Sequence, residues 1–449
     1  MSADLRAVLD EGPMTRFQWR AITVCVLLNT LDGFDVLVMS FTGKSVSGQW
    51  SLGSGTLGLL LSSGLAGMAL GALLIAPRAD RIGRRPVILG GLATAALGMI
   101  VSSLSQNWQQ LALLRVLTGL GIGAVLACSN VIAGEFASRR WRGLAVSLNS
   151  TGYAIGATVG GLSSVALIDH HGWRSVFLTG GLATLSVVPL AYFFLPESLD
   201  FLFTRRPSRA LERINTLARQ MRHPELTELP AVGVEKDQLR SAGFRALFAG
   251  PLRRPTLVLW GAFFLVMAAF YFVTSWTPTL LVEAGMSSSQ GLTGGTLLNV
   301  GGIFGTALLG TLAARFALVS VLRSYLFVAG ALVVAFAAST DTLALAFCLG
   351  AVIGVAVNGC IAGLYALTPE VYSTRLRATG VGAAISVGRV GAIIAPSAAG
   401  WLLDAGATPR TLYVATGIVF AAAGVLLFAL RGQAADGQQV ASARVSAAA

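Results

Sequence analysis

Runs of about 20 apolar residues, each long enough to cross a hydrocarbon core about 30 Å thick, recur along the whole chain between short polar turns. They fall near residues 21–43, 52–76, 86–105, 109–134, 143–168 and 175–195, and again near 255–281, 291–313, 321–339, 342–367, 379–403 and 409–430. The pattern predicts an all-α membrane protein with twelve transmembrane helices. It divides into an N-terminal segment 1–20, a six-helix bundle 21–195, a charged linker 196–254, a second six-helix bundle 255–430 and a tail 431–449. The Ala, Gln and Ser content of the tail predicts disorder. The first 20 residues are polar and show no small-residue cleavage site, so no removable leader is expected.

Composition removes the soluble alternatives. Hydrophobic residues make up 55% of the chain and charged residues only 12%, with a mean hydropathy of +0.74, far from a globular profile. The 53 glycines read as contact points between membrane helices or as hinges, as in Gly152-xxx-Gly156-xxx-Gly160. A net charge of +12 would suggest nucleic acid in a soluble protein, but its distribution follows topology instead. Of the 32 Lys and Arg, only Lys44, Arg174 and Arg410 fall on one side, and Arg115 and Arg389 lie within spans. All the others fall on the second side, which the positive-inside rule makes the cytoplasm, together with both termini. The basic loops then face anionic lipid, and no nucleic-acid partner is expected. The four cysteines, all within spans, are expected to be packing residues without metal-ligand spacing.

An internal repeat appears at an offset of 235 residues, from Glu135 to Glu370. Glu135-Phe-Ala-Ser-Arg-Arg-Trp-Arg142 pairs with Glu370-Val-Tyr-Ser-Thr-Arg-Leu-Arg377, with four identities in eight positions; Gly119 pairs with Gly354 and Gly156 with Gly391. Two pseudo-symmetric halves follow, and repeats of this kind place a binding site between them near the midplane.

Asp32 and Asp35 stand inside the first apolar run, where each carboxylate costs roughly 2.5–3.5 kcal/mol at mid-membrane. Residues three apart are helix neighbours, so the two share one wet face or one proton. Desolvation and mutual repulsion favour holding a proton there. Arg389, about ten residues into the eleventh run, is flanked by Gly388 and Gly391. A guanidinium with small neighbours suits carboxylate recognition, and a salt bridge to Asp32 or Asp35 is the alternative. An aromatic ligand would need flat walls, for which Phe34, Tyr153, Phe270, Tyr271, Trp276 and Tyr365 are candidates. Asn149, Asn299 and Asn358 are candidates for hydroxyl recognition. Glu135 and Glu370, beside arginines at cytoplasmic helix ends, suit structural or gating ion pairs. His170 and His171 suit an outer interface.

The turn Ala76-Pro-Arg-Ala-Asp80-Arg81-Ile-Gly83-Arg84-Arg85 resembles the signature loop of the major facilitator superfamily, with Ala76 in place of the leading glycine. The resemblance implies gating roles for Asp80, Arg81, Gly83, Arg84 and Arg85. The second half has Gly310-Thr-Leu-Ala-Ala314-Arg315-Phe-Ala317, with Ala314 where the acid would stand, so its gate is expected to be weaker or different. Asp32-Gly-Phe-Asp35, Pro196-Glu-Ser, Thr274-Ser-Trp276-Thr-Pro-Thr-Leu and Arg377-Ala-Thr-Gly-Val-Gly together resemble the aromatic acid:proton symporter family. That likeness implies proton-driven uptake of a benzoate-like anion across a bacterial inner membrane by a protein expected to be a monomer, with no bound cofactor. Arg115, in Leu114-Arg-Val-Leu-Thr-Gly119, resembles the family's fourth-span arginine and is implied in proton coupling.

Competing functions leave weaker traces. A drug:proton antiporter carries Gly-Pro in its fifth span, and Gly160-Gly161 has no proline after it. A sugar or aliphatic-acid symporter stays open, as does a receptor without net flux, against which Asp32, Asp35 and Asp80 argue. Gly43-Lys44-Ser45 has Val38 where a phosphate-binding loop needs glycine, and no nucleophile–base pair suggests an enzyme.

Overall fold

The computed structural model describes residues 12–223, 225–229, 244–338, 343–373 and 376–430, and among these no strand occurs. The tail 431–449 and parts of the N-terminal segment and linker lie outside the described residues. The first half contains α1 (Arg16–Trp50), α2 (Ser54–Leu70), α3 (Ala79–Ile82), α4 (Arg84–Ser102), α5 (Trp108–Phe136), α6 (Arg142–His171) and α7 (Trp173–Phe194). Two linker helices follow, α8 (Leu199–Arg205) and α9 (Ala210–Gln220). The second half contains α10 (Arg253–Glu283), α11 (Ser288–Ala313), α12 (Leu318–Phe336), α13 (Leu343–Val371), α14 (Arg377–Asp404) and α15 (Pro409–Leu426). Among the described residues, 12 helices are long and apolar enough to cross a membrane.

The largest departure from the expected spans is α1. Its 35 residues extend about 52 Å at 1.5 Å per residue, well beyond a 30 Å core. Thr15 and Gln18 form a reciprocal capping box at its start, and Ser51 ends it in the left-handed conformation. Polar ends capped in this way let the helix continue outside the apolar layer. After Leu70, α2 passes through a π-helical segment Gly71–Ile75 and a 3-10 turn Ala76–Arg78 before the short α3.

The chain forms two compact units. Unit 1 comprises Met1–Val234, Thr274–Ile303 and Pro396–Gly406; unit 2 comprises Glu235–Val273, Phe304–Ala395 and Ala407–Ala449. Parts of α10, α11 and α14 thus pack with the first-half helices.

Glycine sets the helix contacts in unit 1. A Cβ on Gly156 would overlap the Thr30 carbonyl, one on Gly160 the Phe34 ring, and one on Gly33 the Tyr153 carbonyl. The Gly152-xxx-Gly156-xxx-Gly160 stripe is therefore the contact face of α6 on α1. On the α2–α5 pair, Gly67, Gly119 and Gly123 each meet the partner backbone in the same way. Bringing backbones together at glycine is how packing is gained where lipid removes any hydrophobic drive between helices. In unit 2, Tyr413 of α15 stacks edge-on against Phe272 and Phe336, 5.6 and 5.2 Å between centroids.

The linker helices close the base of unit 1. Leu199, Leu202, Ile214 and Leu217 join one buried cluster with Val24, Ile88, Ile132 and Leu195 of the bundle. Gly156→Val should lower stability by about 3 kcal/mol, the upper end of overpacking costs. Gly90→Ala, where a Cβ meets nothing within 4 Å, should leave stability within about 1 kcal/mol. Thermal unfolding of the two purified variants in one detergent measures the difference.

Candidate functional site

Both acids of α1 point into the interior of unit 1, with Asp32 4% and Asp35 3% exposed. Arg115 of α5 reaches Asp35 through two geometries at once. Its Nη1 donates to Oδ1 at 2.7 Å, and its Nη2 donates to the backbone carbonyl of Asp35 at 2.8 Å and to Oδ2 at 3.3 Å. The guanidinium fits because α2 presents Gly64, whose Cβ would stand 2.8 Å from Nη2. Arg115 Nε is buried without a hydrogen-bond partner. Next to the pair lies a cavity of ≈ 10 Å³, lined by Asp32, Asp35, Met99, Thr184 and apolar side chains of α1, α4 and α5. That is room for about one water molecule. The two carboxylates, the arginine and this cavity make one buried acid–base centre.

The proposed ligand walls separate into two groups. Phe34 wedges between Gly160 of α6 and Gly180 of α7, and Trp276, fully buried, donates its indole N–H to the Pro396 carbonyl at 3.0 Å. Both are engaged in helix packing. Asn149 is likewise spent: it accepts from Asn29 at 2.8 Å and donates to Asn130 at 2.6 Å, an amide chain linking α1, α6 and α5. Asn299 and Asn358 each donate to a carbonyl one turn back, Gly295 and Gly354. Tyr153 is half-buried against α1, and Tyr271 is half-buried with its ring edge-on to Phe270.

The second group lies in unit 2 around Arg389. The guanidinium is half-buried on α14 and lies within electrostatic reach of the Tyr365 phenol. Tyr365 is 39% exposed and stacks edge-on against Phe263 of α10 at 5.6 Å. Gly388, directly before Arg389, sits against Phe263 and Met267. A cation and an exposed phenol thus offer polar recognition for an aromatic carboxylate, with the fully buried Phe263 ring packed behind the phenol.

At the linker end of unit 1, the signature turn forms a charge network. Arg84 binds Glu135 and donates to Ser198 Oγ at 2.8 Å, and Asp80 lies 3.9 Å from Arg84. Glu135 also accepts from Ser198 Oγ and the Leu199 backbone N–H, both at 3.1 Å, which caps α8. Gly83 has φ +105, open to glycine alone without strain, and its missing Cβ leaves space for Glu197. Glu197 then accepts the backbone N–H of Arg84 at 2.8 Å, of Arg85 at 3.2 Å and of Ser198 at 2.9 Å. Arg85 donates to the Tyr192 carbonyl, whereas Arg81 is exposed. Glu370, the repeat partner of Glu135, is exposed and makes no ion pair among the described residues. The repeat in sequence is not a repeat in bonding, because the Glu197–Ser198 segment that completes the first network belongs to the linker.

The opposite end of unit 1 holds residues that sequence reading missed. Asp404, at the end of α14, accepts the backbone N–H of Ser54 and Gly55 at 2.8 Å each, capping α2. Ser397 donates to Ser62 Oγ at 2.8 Å, and Lys44 pairs with Glu283 at 3.6 Å. An acid after an apolar run was the only signal for Asp404, and nothing local names a partner 350 residues away.

A profile of the Major Facilitator Superfamily matches residues 24–396. The chain is 33% identical over 430 residues to a gallate transporter of Pseudomonas putida, covering 94% of each. It is 33% identical over 397 residues to the 4-hydroxybenzoate transporter PcaK of Acinetobacter baylyi, covering 87% of this chain and 86% of that one. In fold it resembles the xylose transporter XylE of E. coli in a partially occluded inward open conformation. The TM-score is 0.72 at 17% identity, over 92% of this chain and 98% of that one.

Removing one partner of the buried pair leaves an uncompensated charge, so Arg115→Met should destabilise by about 3–5 kcal/mol. The double variant Asp35→Leu with Arg115→Met should recover most of that loss. Unfolding midpoints of the two variants and the parent, measured together, check the recovery.

Proposed function

We infer a transport function from one premise: the chain belongs to the major facilitator superfamily. It is a multi-pass membrane transporter and not an enzyme. Its substrate is an aromatic carboxylate of the benzoate or hydroxybenzoate class, taken up with protons. The substrate class is supported by the similarity, over nearly the whole chain, to proteins named for gallate and 4-hydroxybenzoate transport. It works as a monomer in the bacterial inner membrane with both termini in the cytoplasm, as the distribution of Lys and Arg suggests.

The observation that carries the coupling is the buried Asp35–Arg115 pair with Asp32 on the same small cavity. Ionised, Asp35 holds Arg115 by charge-assisted hydrogen bonds, which are roughly twice as strong as neutral ones. Protonation of Asp35 removes one charge of the pair and loosens α1 from α5. Asp32 gives a second proton a place within one helical turn. On the other half, the substrate carboxylate neutralises Arg389 while its ring lies along Tyr365. The substrate thus satisfies the charge of the second half, while in the first the cost of leaving Arg115 without its carboxylate keeps the protonated, loosened state short-lived and returns the proton.

The signature turn works as the gate at the cytoplasmic end. Arg84, Glu135 and Asp80 form a network that a helix shift can break and remake, with Gly83 allowing the turn and Arg81 and Arg85 at its rim; Glu370, exposed and unpaired among the described residues, takes no part in it.

Uptake of radiolabelled 4-hydroxybenzoate into proteoliposomes tests this reading. An inward proton gradient should drive accumulation, and added substrate should alkalinise the outside; absence of both defeats symport. A second proton per monoanion would make uptake respond to membrane potential by about 2.3 kcal/mol per 100 mV, and one proton would not. Asp32→Asn and Asp35→Asn should abolish accumulation against a gradient while leaving binding. Arg389→Ala should chiefly weaken binding, by at least tenfold for the loss of a charged hydrogen bond.

A further inference from the structure

Away from the acid–base centre, a cavity of ≈ 570 Å³ opens at the linker end of unit 1, between the starts of α1 and α4, the last turn of α7 and the polar face of α9. Two arginines line it. Arg85 lies 5.2 Å over the Tyr192 ring, donates to the Tyr192 carbonyl and keeps a buried Nε with no hydrogen-bond partner. Arg213 is exposed on α9 and makes no ion pair among the described residues. The one carboxylate in the lining, Glu197, already accepts three backbone N–H groups through Oε1. The cavity therefore carries net positive charge with donor capacity to spare.

Its level and its walls point to the bilayer. Tyr192, Phe193 and Phe194 end the span of α7, and Phe193 is 75% exposed. Exposed aromatics at a span end mark the membrane interface. Above them, α4 and α7 present exposed Leu97, Leu182 and Leu190, outer faces suited to acyl chains. We propose that this cavity binds an anionic phospholipid of the linker-side leaflet, its phosphate between Arg85 and Arg213 and its chains along the apolar faces of α4 and α7. Two guanidiniums against one carboxylate favour a lipid with net negative charge over a zwitterionic one, whose amine meets the arginines with like charge. A soluble anion has nothing to cover the exposed aromatic wall. The lipid would sit on the turn that carries Arg84 and join it to α9, without touching Asp35, Arg115 or Arg389.

Native mass spectrometry of the full chain, titrated in detergent with phosphatidylglycerol, phosphatidylcholine or inorganic phosphate, tests the proposal. Wild type should retain phosphatidylglycerol over phosphatidylcholine. Arg213→Gln should weaken that binding about fivefold, the contribution of one basic residue near an anionic surface. Arg209→Gln removes the same charge from a linker position outside the cavity and should leave binding unchanged. Thr216→Trp, which fills the cavity without changing charge, should also exclude the lipid and keeps the test sound if Arg213→Gln folds poorly. Equal weakening in Arg209→Gln and Arg213→Gln, no preference over phosphatidylcholine, or equal occupancy by inorganic phosphate would each overturn the proposal.

Discussion

A guanidinium buried among apolar helices has to be neutralised where it stands, and the interior of unit 1 is arranged around that requirement. Arg115, 2% exposed, is met by both oxygens and the backbone carbonyl of Asp35. Meeting it demands that α1, α2 and α5 approach closely, which glycine allows at Gly64 on α2. A larger residue there would displace the guanidinium and leave two charges unsolvated in a medium that tolerates neither. On the proposed mechanism this pair is also the one a proton loosens, so stability and coupling would draw on a single contact.

Charge is handled differently at the two ends of unit 1. At the linker end, arginines and acids form a network in which helix caps take part: Glu197 serves the start of α4 and Glu135 the start of α8. At the other end Asp404 caps α2 from across the unit. In each case an acid meets the free N–H groups and positive dipole end of a helix, an interaction that survives in partly solvated surroundings and can be broken without unfolding a span. The midplane, by contrast, relies on a direct ion pair shielded from water.

Much of the fold was legible in the sequence because membrane insertion writes itself locally. Span length, lysine and arginine bias and intramembrane charges are each properties of a short window, so all twelve spans and the placement of Asp32, Asp35 and Arg115 inside them could be read directly. The glycine stripe of α6 was legible for the same reason, since a four-residue spacing defines a helix face. Side-chain roles that depend on the partner were not. Trp276 and Phe34 look like ligand walls by type yet are occupied in packing. Asn149 looks like a hydroxyl reader yet spends its amide on Asn29 and Asn130. Glu370 matches Glu135 by repeat, but only Glu135 has the linker beside it.

The sequence by itself determined that the chain crosses the bilayer twelve times, which acids and arginines are stranded at membrane depth, and which helix faces are small enough to touch. These follow from transfer free energies and helical periodicity, which act residue by residue. Only the tertiary structure decided that Arg115 binds Asp35, that Phe34 and Trp276 are packed between helices while Tyr365 stays exposed, and that Glu197 and Asp404 cap helices far from them in the chain. Such pairings depend on distance in space, and a hydrogen bond between residues hundreds of positions apart leaves no trace in either partner's local sequence.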